Sequence, residues 1–269
     1  MKPVDFLIET RHHNYTEWQI NRPERCNALG VELGEILLRS LRAFATKLAE
    51  TGARALVIRP KTIEQRGRRI AIAGGDLKEL SLLNPSAARA YANIYQQICS
   101  HIETLPIPVI FVCDGELIGG GIELALAADM LLCSQTSRFI FKQTKVGLAT
   151  GYGGATRLVE TVGLKCAKYW LLTGANIDAQ SALQCGLASE VFQINEEQKV
   201  ISSVVQAICA NSQVGTTAQK SMLNSERSSR LNRELEIFAD LWGNKDHKSF
   251  LGEFIKKSAA SSRTNKLEE

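Results

Sequence analysis

Apolar positions along the chain follow two patterns: short β-rich runs, and longer stretches in which an apolar residue returns every three or four positions. Residues 4–8, 15–20, 55–58, 109–113 and 188–192 belong to the first kind and read as strands, as does 138–141, which residues 143–146 are expected to continue. Leu33, Ile36, Leu37, Leu41, Phe44 and Leu48 recur at helical spacing, so 31–50 reads as a helix with a core-facing stripe, for which Asn27 is a plausible cap. Residues 86–105 form a second helix, opened by Pro85 or Ser86 and stopped before Pro106. Shorter helices follow at 163–172 and 179–184. From Glu196 onward the pattern is helical, with one stripe at Val200, Val204, Val205 and Ile208 and another at Leu235, Phe238, Leu241 and Trp242. Strands alternating with helices imply an α/β fold.

Two stretches break the alternation in the same way. In VIFVCDGELIGGGIELALAADMLLC, residues 109–133, a strand turns at Asp114 and Gly115, crosses Gly119, Gly120 and Gly121, and enters a helix over 123–128. IAIAGGDLKEL, residues 70–80, repeats that order with Gly74 and Gly75. The first N–H groups of a helix lack intrahelical partners and, with the dipole, stabilise a developing anion. Two such units in one chain point to two backbone donors converging on one site, an oxyanion hole. Glu123, two residues beyond the last glycine, is the candidate acid or base. The plainer reading is that of packing turns and a carboxylate placed against a helix dipole. GLATGYGGATRL, residues 147–158, is a further glycine-rich loop.

Composition narrows the class. With 269 residues, 45% hydrophobic and 22% charged, the chain is an ordinary globular protein able to bury a sizeable core. A net charge of +4 suits an anionic small molecule and is too weak for nucleic acid, and 6% aromatic residues offer no base-stacking platform. Seven cysteines, odd in number and without a CxxC pair, fit a reducing compartment. The opening MKPVDFLIETRHHNY lacks a signal-length apolar core, and acids interrupt every apolar run elsewhere. A cytoplasmic protein without a membrane span is expected. His12 and His13 read as solvated turn residues, PKTIEQRGRR as an exposed basic loop, and His101 is given no role.

Together these motifs resemble the enoyl-CoA hydratase/isomerase, or crotonase, superfamily over nearly the whole chain. NRPERCNAL, residues 21–29, resembles the family's loop near the coenzyme A site, IAIAGGDLKEL its first oxyanion-hole segment, and DGELIGGGIELALAAD its second. The resemblance implies an α/β spiral of ββα units with a C-terminal helical region. The corresponding division is a core over 1–195, a helical assembly region over 196–258 and a tail over 259–269. It also implies an acyl-CoA thioester substrate and a homotrimer or dimer of trimers, with no metal or redox cofactor. The two donors fall on Gly75 and Gly120. Substrate contacts are implied at Arg25, Ala28, Ala73, Asp76, Leu77, Tyr152 and Lys257, Asp76 being also a helix-start partner.

One position departs from the pattern. Hydratases of the family use two glutamates; the first is Glu123, and the second, counted back from Gly147, is Gln143. A shift of one residue would bring Lys142 or Thr144 there, and none of the three is a carboxylic acid. Glutamine can hold water or a thioester but cannot deliver a proton. Three readings follow: an enzyme of the hydratase/isomerase type, a short-chain dicarboxyl-CoA decarboxylase, and a noncatalytic acyl-CoA-binding or assembly subunit.

Overall fold

The structure, a computed structural model, describes residues 6–224. It opens with a hairpin of β1 (Leu7–Arg11) and β2 (Tyr15–Ile20), a 3₁₀ turn at Pro23–Arg25, and the long helix α1 (Val31–Thr51). Then come β3 (Ala55–Pro60), β4 (Ile63–Gln65), β5 (Arg68–Ile72), the single-turn α2 (Leu77–Leu80) and α3 (Pro85–Thr104). The next unit is β6 (Val109–Cys113), β7 (Glu116–Ile118) and α4 (Gly120–Ala125). A third has β8 (Met130–Ser134), β9 (Arg138–Ile140), a 3₁₀ turn at Thr144–Val146, and α5 (Gly154–Val162). The chain continues through α6 (Leu164–Thr173), β10 (Asn176–Asp178), α7 (Ala179–Gln184), β11 (Glu190–Phe192), α8 (Glu197–Ala210) and α9 (Gln213–Leu223).

Each unit sends its first strand to one sheet and its remaining strand, or in the first unit the β4–β5 pair, to a second sheet. The six-stranded sheet has the order β1-β2-β3-β6-β8-β11, and the five-stranded sheet has β10-β9-β7-β5-β4. β3, β6 and β8 are parallel neighbours in the first, while β5, β7 and β9 are parallel neighbours in the second. This repetition is the ββα spiral that the resemblance implies.

Burial on both faces explains the unbroken apolar runs of the first sheet. On one face Leu56, Ile58, Phe111 and Cys113 join the main core with Leu33, Leu37 and Leu41 of α1. On the other, Val57, Ile110, Val112 and Leu132 pack against Val200, Ile201, Val205 and Ile208 of α8. The first C-terminal stripe is therefore consumed by the chain's own sheet, and the compact core unit runs through Cys209 rather than ending near 195. In the second unit α9 is capped by Ser212, whose Oγ accepts the Gly215 N–H at 3.4 Å. The second stripe lies outside the described residues. All seven cysteines are free thiols.

Several local expectations change. Residues 143–146 do not extend a strand but coil into the 3₁₀ turn, closed by Gly147 at φ 73°. The basic loop is largely the β4–β5 hairpin, turning at Arg66 and Gly67. Asn27 is not a helix cap: it is fully buried, accepts the Arg22 N–H at 2.7 Å and donates to the carbonyls of Lys61 and Ala71. α1 is instead capped from a distance, with Glu79 Oε2 accepting the Val31 N–H at 2.8 Å.

Candidate active site

β5 and β7 are parallel neighbours, with Ile72 opposite Leu117, so both leave the sheet at one edge. Each runs there into a glycine turn. Gly74, at φ +92°, stands where a Cβ would lie 3.1 Å from the Ile118 carbonyl oxygen, and Gly119 takes φ +51°. A Cβ on Gly121 would come within 2.9 Å of the Ile72 side chain. Close approach of the two turns therefore requires glycine.

The first turn is held by the 26–29 loop. Ala73 N–H donates to Cys26 O at 3.0 Å, Leu29 N–H to Gly74 O at 2.7 Å, and Asp76 N–H to Leu29 O at 3.0 Å. Gly75 N–H, between two engaged neighbours, forms no hydrogen bond to another described residue. The same is true of Gly120, whose N–H opens α4 and has no intrahelical acceptor. Both glycines are half-buried, whereas Gly74, Gly119 and Gly121 are buried. Two amides without an acceptor among the described residues thus follow the ends of two neighbouring parallel strands.

Glu123 lies on α4 one turn after Gly120 and is only 3% exposed. Its carboxylate receives four donors: Tyr152 N–H at 2.8 Å and Gly154 N–H at 3.1 Å on Oε2, and Gln143 Nε2 at 3.1 Å and Gly151 N–H at 3.4 Å on Oε1. The glycines of the 151–154 loop make this approach feasible, since a Cβ on Gly154 would collide with Glu123 Cγ. Burial pushes the Glu123 carboxyl above its ordinary range, outweighing the opposing hydrogen bonds from Tyr152, Gln143, Gly154 and Gly151. Because an acceptor-only carboxylate faces Gln143, the amide must present its nitrogen. Gln143 Oε1 is then a buried acceptor with no partner among the described residues.

The remaining sequence candidates divide. Arg25 is half-buried, Ala28 is 7% exposed, and their loop lies against Ala73 and Gly75, so these residues are brought together. Leu77 projects from α2 with 66% exposure. Asp76 is 3% exposed, and its carboxylate is occupied within the protein. It caps α2 through the Lys78 and Glu79 N–H groups and pairs with Arg22 Nη1 at 2.9 Å. Burial alone would raise its pKa, but the Glu79 N–H, the Arg22 charge and the Lys78 N–H bring it below the usual carboxylate range. Lys257 lies outside the described residues. Sequence reasoning missed Arg22 and Glu79, which join at 2.8 Å and tie the 26–29 loop to α2. Arg22 was visible inside NRPERCNAL, but its partners lie more than fifty residues away.

Tyr152 is 6% exposed, and a Cβ on Gly120 would stand 2.6 Å from its ring. Its hydroxyl meets that of Tyr91, which donates to Leu29 O at 2.9 Å. Burial pushes Tyr91 up to about 12 and Tyr152 higher still, so both remain neutral phenols. Among the described residues no group of three or more His, Cys, Asp or Glu side chains is placed to hold a metal ion, and no helix is long and apolar enough to cross a membrane.

The chain is similar in sequence and fold to known proteins. A short-chain-enoyl-CoA hydratase of Clostridium acetobutylicum is 27% identical over 242 residues, covering 88% of this chain and 90% of that one. A mitochondrial enoyl-CoA hydratase of Pongo abelii is 29% identical over 261 residues, covering 95% and 86%. The fold matches the crystal structure of an enoyl-CoA hydratase from Mycobacterium smegmatis with a TM-score of 0.85 at 22% identity, over 94% of this chain and 97% of that one. The family profile described as Enoyl-CoA hydratase/isomerase matches residues 11–258, and the chain belongs to that family.

Proposed function

We propose that the protein is an acyl-CoA thioester enzyme of the enoyl-CoA hydratase/isomerase type that works through an enolate held by the Gly75 and Gly120 N–H groups. The observation that carries this reading is a pair of amides with no acceptor among the described residues, one of which, that of Gly120, opens the helix that carries the buried Glu123 carboxylate. Glu123 takes a proton from the carbon next to the thioester, the electron pair moves to the thioester oxygen, and the two amides stabilise the resulting charge. Returning that proton to another carbon completes an isomerisation with one carboxylate. Coenzyme A enters as part of the substrate, and the step calls for no metal or redox cofactor. Gln143 keeps Glu123 oriented, and its Oε1, without a partner among the described residues, is suited to accept from a water or a substrate hydroxyl.

A second reading, decarboxylation of a short dicarboxyl-CoA, is favoured by the direct Gln143–Glu123 bond, which puts an amide where a second acid would serve hydration. Loss of carbon dioxide yields the same enolate without a base, and a Glu123 with a raised pKa can then protonate it. A noncatalytic acyl-CoA binder or assembly subunit is the third reading. We take the assembly to be a homotrimer or a dimer of trimers and the compartment to be cytoplasmic.

Crotonyl-CoA assayed beside methylmalonyl-CoA and ethylmalonyl-CoA separates these readings. Glu123→Gln is expected to lower turnover of the true substrate by about a hundredfold to ten-thousandfold, and Gln143→Glu to raise crotonyl-CoA hydration above native. Tight binding of these esters without turnover would favour the binder. If neither substitution changed turnover of any ester, the roles given to both residues would be wrong.

A further inference from the structure

A thioester whose oxygen lies between the Gly75 and Gly120 amides has two ends, and only one can enter the protein. The coenzyme A end is too large to bury and leaves toward solvent, the side on which Leu77 is exposed. The acyl end then points the other way, toward the place where α3 and the 151–154 loop meet through the Tyr91 and Tyr152 hydroxyls. There it meets Tyr91, Tyr95 and Tyr152, which are 6%, 0% and 6% exposed.

This aromatic cluster begins at the two donors themselves. The Tyr91 hydroxyl stands 3.4 Å from where a Cβ on Gly75 would be, and the Tyr152 ring 2.6 Å from the equivalent point on Gly120. Tyr95 and Tyr152 stack with ring centroids 4.8 Å apart, and Tyr91 meets Tyr95 edge-on at 5.2 Å. The hydroxyls are all engaged. Tyr95 donates to Gly30 O at 2.7 Å and Tyr91 to Leu29 O at 2.9 Å, so Tyr152 must donate to Tyr91. Swinging any ring aside would break a buried hydrogen bond, and a core packed to this density does not yield freely.

We propose that Tyr91, Tyr95 and Tyr152 form a fixed end wall that restricts the site to short acyl groups. The proposal rests on the acyl-CoA reading given above and specifies the substrate class within it. A misfit of one methylene in such a pocket is worth about tenfold to two-hundredfold, so chain length is the property this wall selects.

The test uses saturated thioesters and calorimetric binding, which separates pocket size from turnover. The native protein is expected to bind butanoyl-CoA at least about tenfold more tightly than decanoyl-CoA. Tyr152→Ala should remove most of that ratio by strengthening decanoyl-CoA binding, while Tyr152→Phe, which keeps the ring, should retain it. Should Tyr152→Ala fail to fold, Tyr152→Leu shortens the wall with a smaller cavity and carries the same comparison. Equal binding of both thioesters by the native protein overturns the assignment, as does an unchanged ratio in a folded Ala or Leu variant. Binding of neither thioester would instead remove the acyl-CoA reading, and this inference with it.

Discussion

Glu123 combines two opposed influences at one carboxyl group. Four donors favour its charge, but burial disfavours it more, so the folded-state pKa lies above the ordinary 4.5. A step that uses the carboxylate as base therefore switches on as pH rises through that raised value. The acid limb of kcat is expected above pH 4.5 and should vanish in Glu123→Gln. Stability runs the other way. A raised folded pKa means that the native state holds the proton more firmly than the unfolded chain, a contribution complete below the unfolded pKa and lost as pH climbs through the folded one. Between those two values native stability should decline relative to Glu123→Gln, whatever constant offset the amide introduces. Denaturant midpoints measured across the window check this, and parallel pH profiles for the two proteins would sink it. Glu123 and its glycines are legible in the sequence because a short spacing joins them. Of its four partners only Gln143 is, because the other three are backbone N–H groups 28, 29 and 31 positions away whose direction only the fold determines.

At the level of elements, the long amphipathic helices and the doubly buried strands declare themselves through periodicity. Among the three-residue strands, β9 and β11 fall within apolar runs and are read as strands, whereas β4, β7 and β10 lie in polar or turn-rich stretches too short to show alternation. α5 was hidden by its glycines: GLATGYGGATRL reads as a loop, yet the helix starts at the last of them and runs to Val162. α2 is the element on which the first donor depends most directly, and at four residues it cannot persist on its own propensity. Asp76 both caps it and neutralises buried Arg22, while Glu79 carries the same tie to the start of α1. Removing the Asp76 carboxylate deletes a cap and leaves Arg22 with Glu79, the more distant and exposed Glu24, the Ala28 carbonyl and the Phe6 ring as partners. Asp76→Ala should cost about 3 kcal/mol, since a lost cap is worth about 1 and an unpaired buried charge about 3 to 5 in the absence of other partners. Asp76→Asn, which keeps an acceptor at the cap, should cost less. Thermal and denaturant unfolding decide the order, and a loss below 0.5 kcal/mol, roughly the level of an ordinary surface change, would show that the network is not needed.

For the whole molecule, the question is which apolar surface the described residues leave uncovered. The stripe of α8 is already packed beneath the first sheet, so it gives no support to assembly. α6 does: Ala167 and Trp170 are buried, while Leu164, Tyr169 and Leu172 are 54%, 66% and 74% exposed. At about 100° per residue, these three lie within an arc of roughly 140° on the side opposite the buried pair. Single exposed apolar residues are ordinary, but a face of three large ones on a helix of ten residues is a surface suited to burial. A stable contact between copies needs about 1,200–2,000 Å² in total, so this face would form part of the interface and neighbouring segments the rest. The expected native species is a trimer or a hexamer by light scattering at micromolar concentration. Tyr169→Glu with Leu172→Glu should shift it to monomer, because burying two unpaired carboxylates costs several kcal/mol at each interface. The substitutions face away from the core, so the monomer should keep its secondary structure and its melting should become independent of concentration. A native protein that is already monomeric would overturn the assembly, whereas an intact trimer carrying both glutamates would move the interface away from α6.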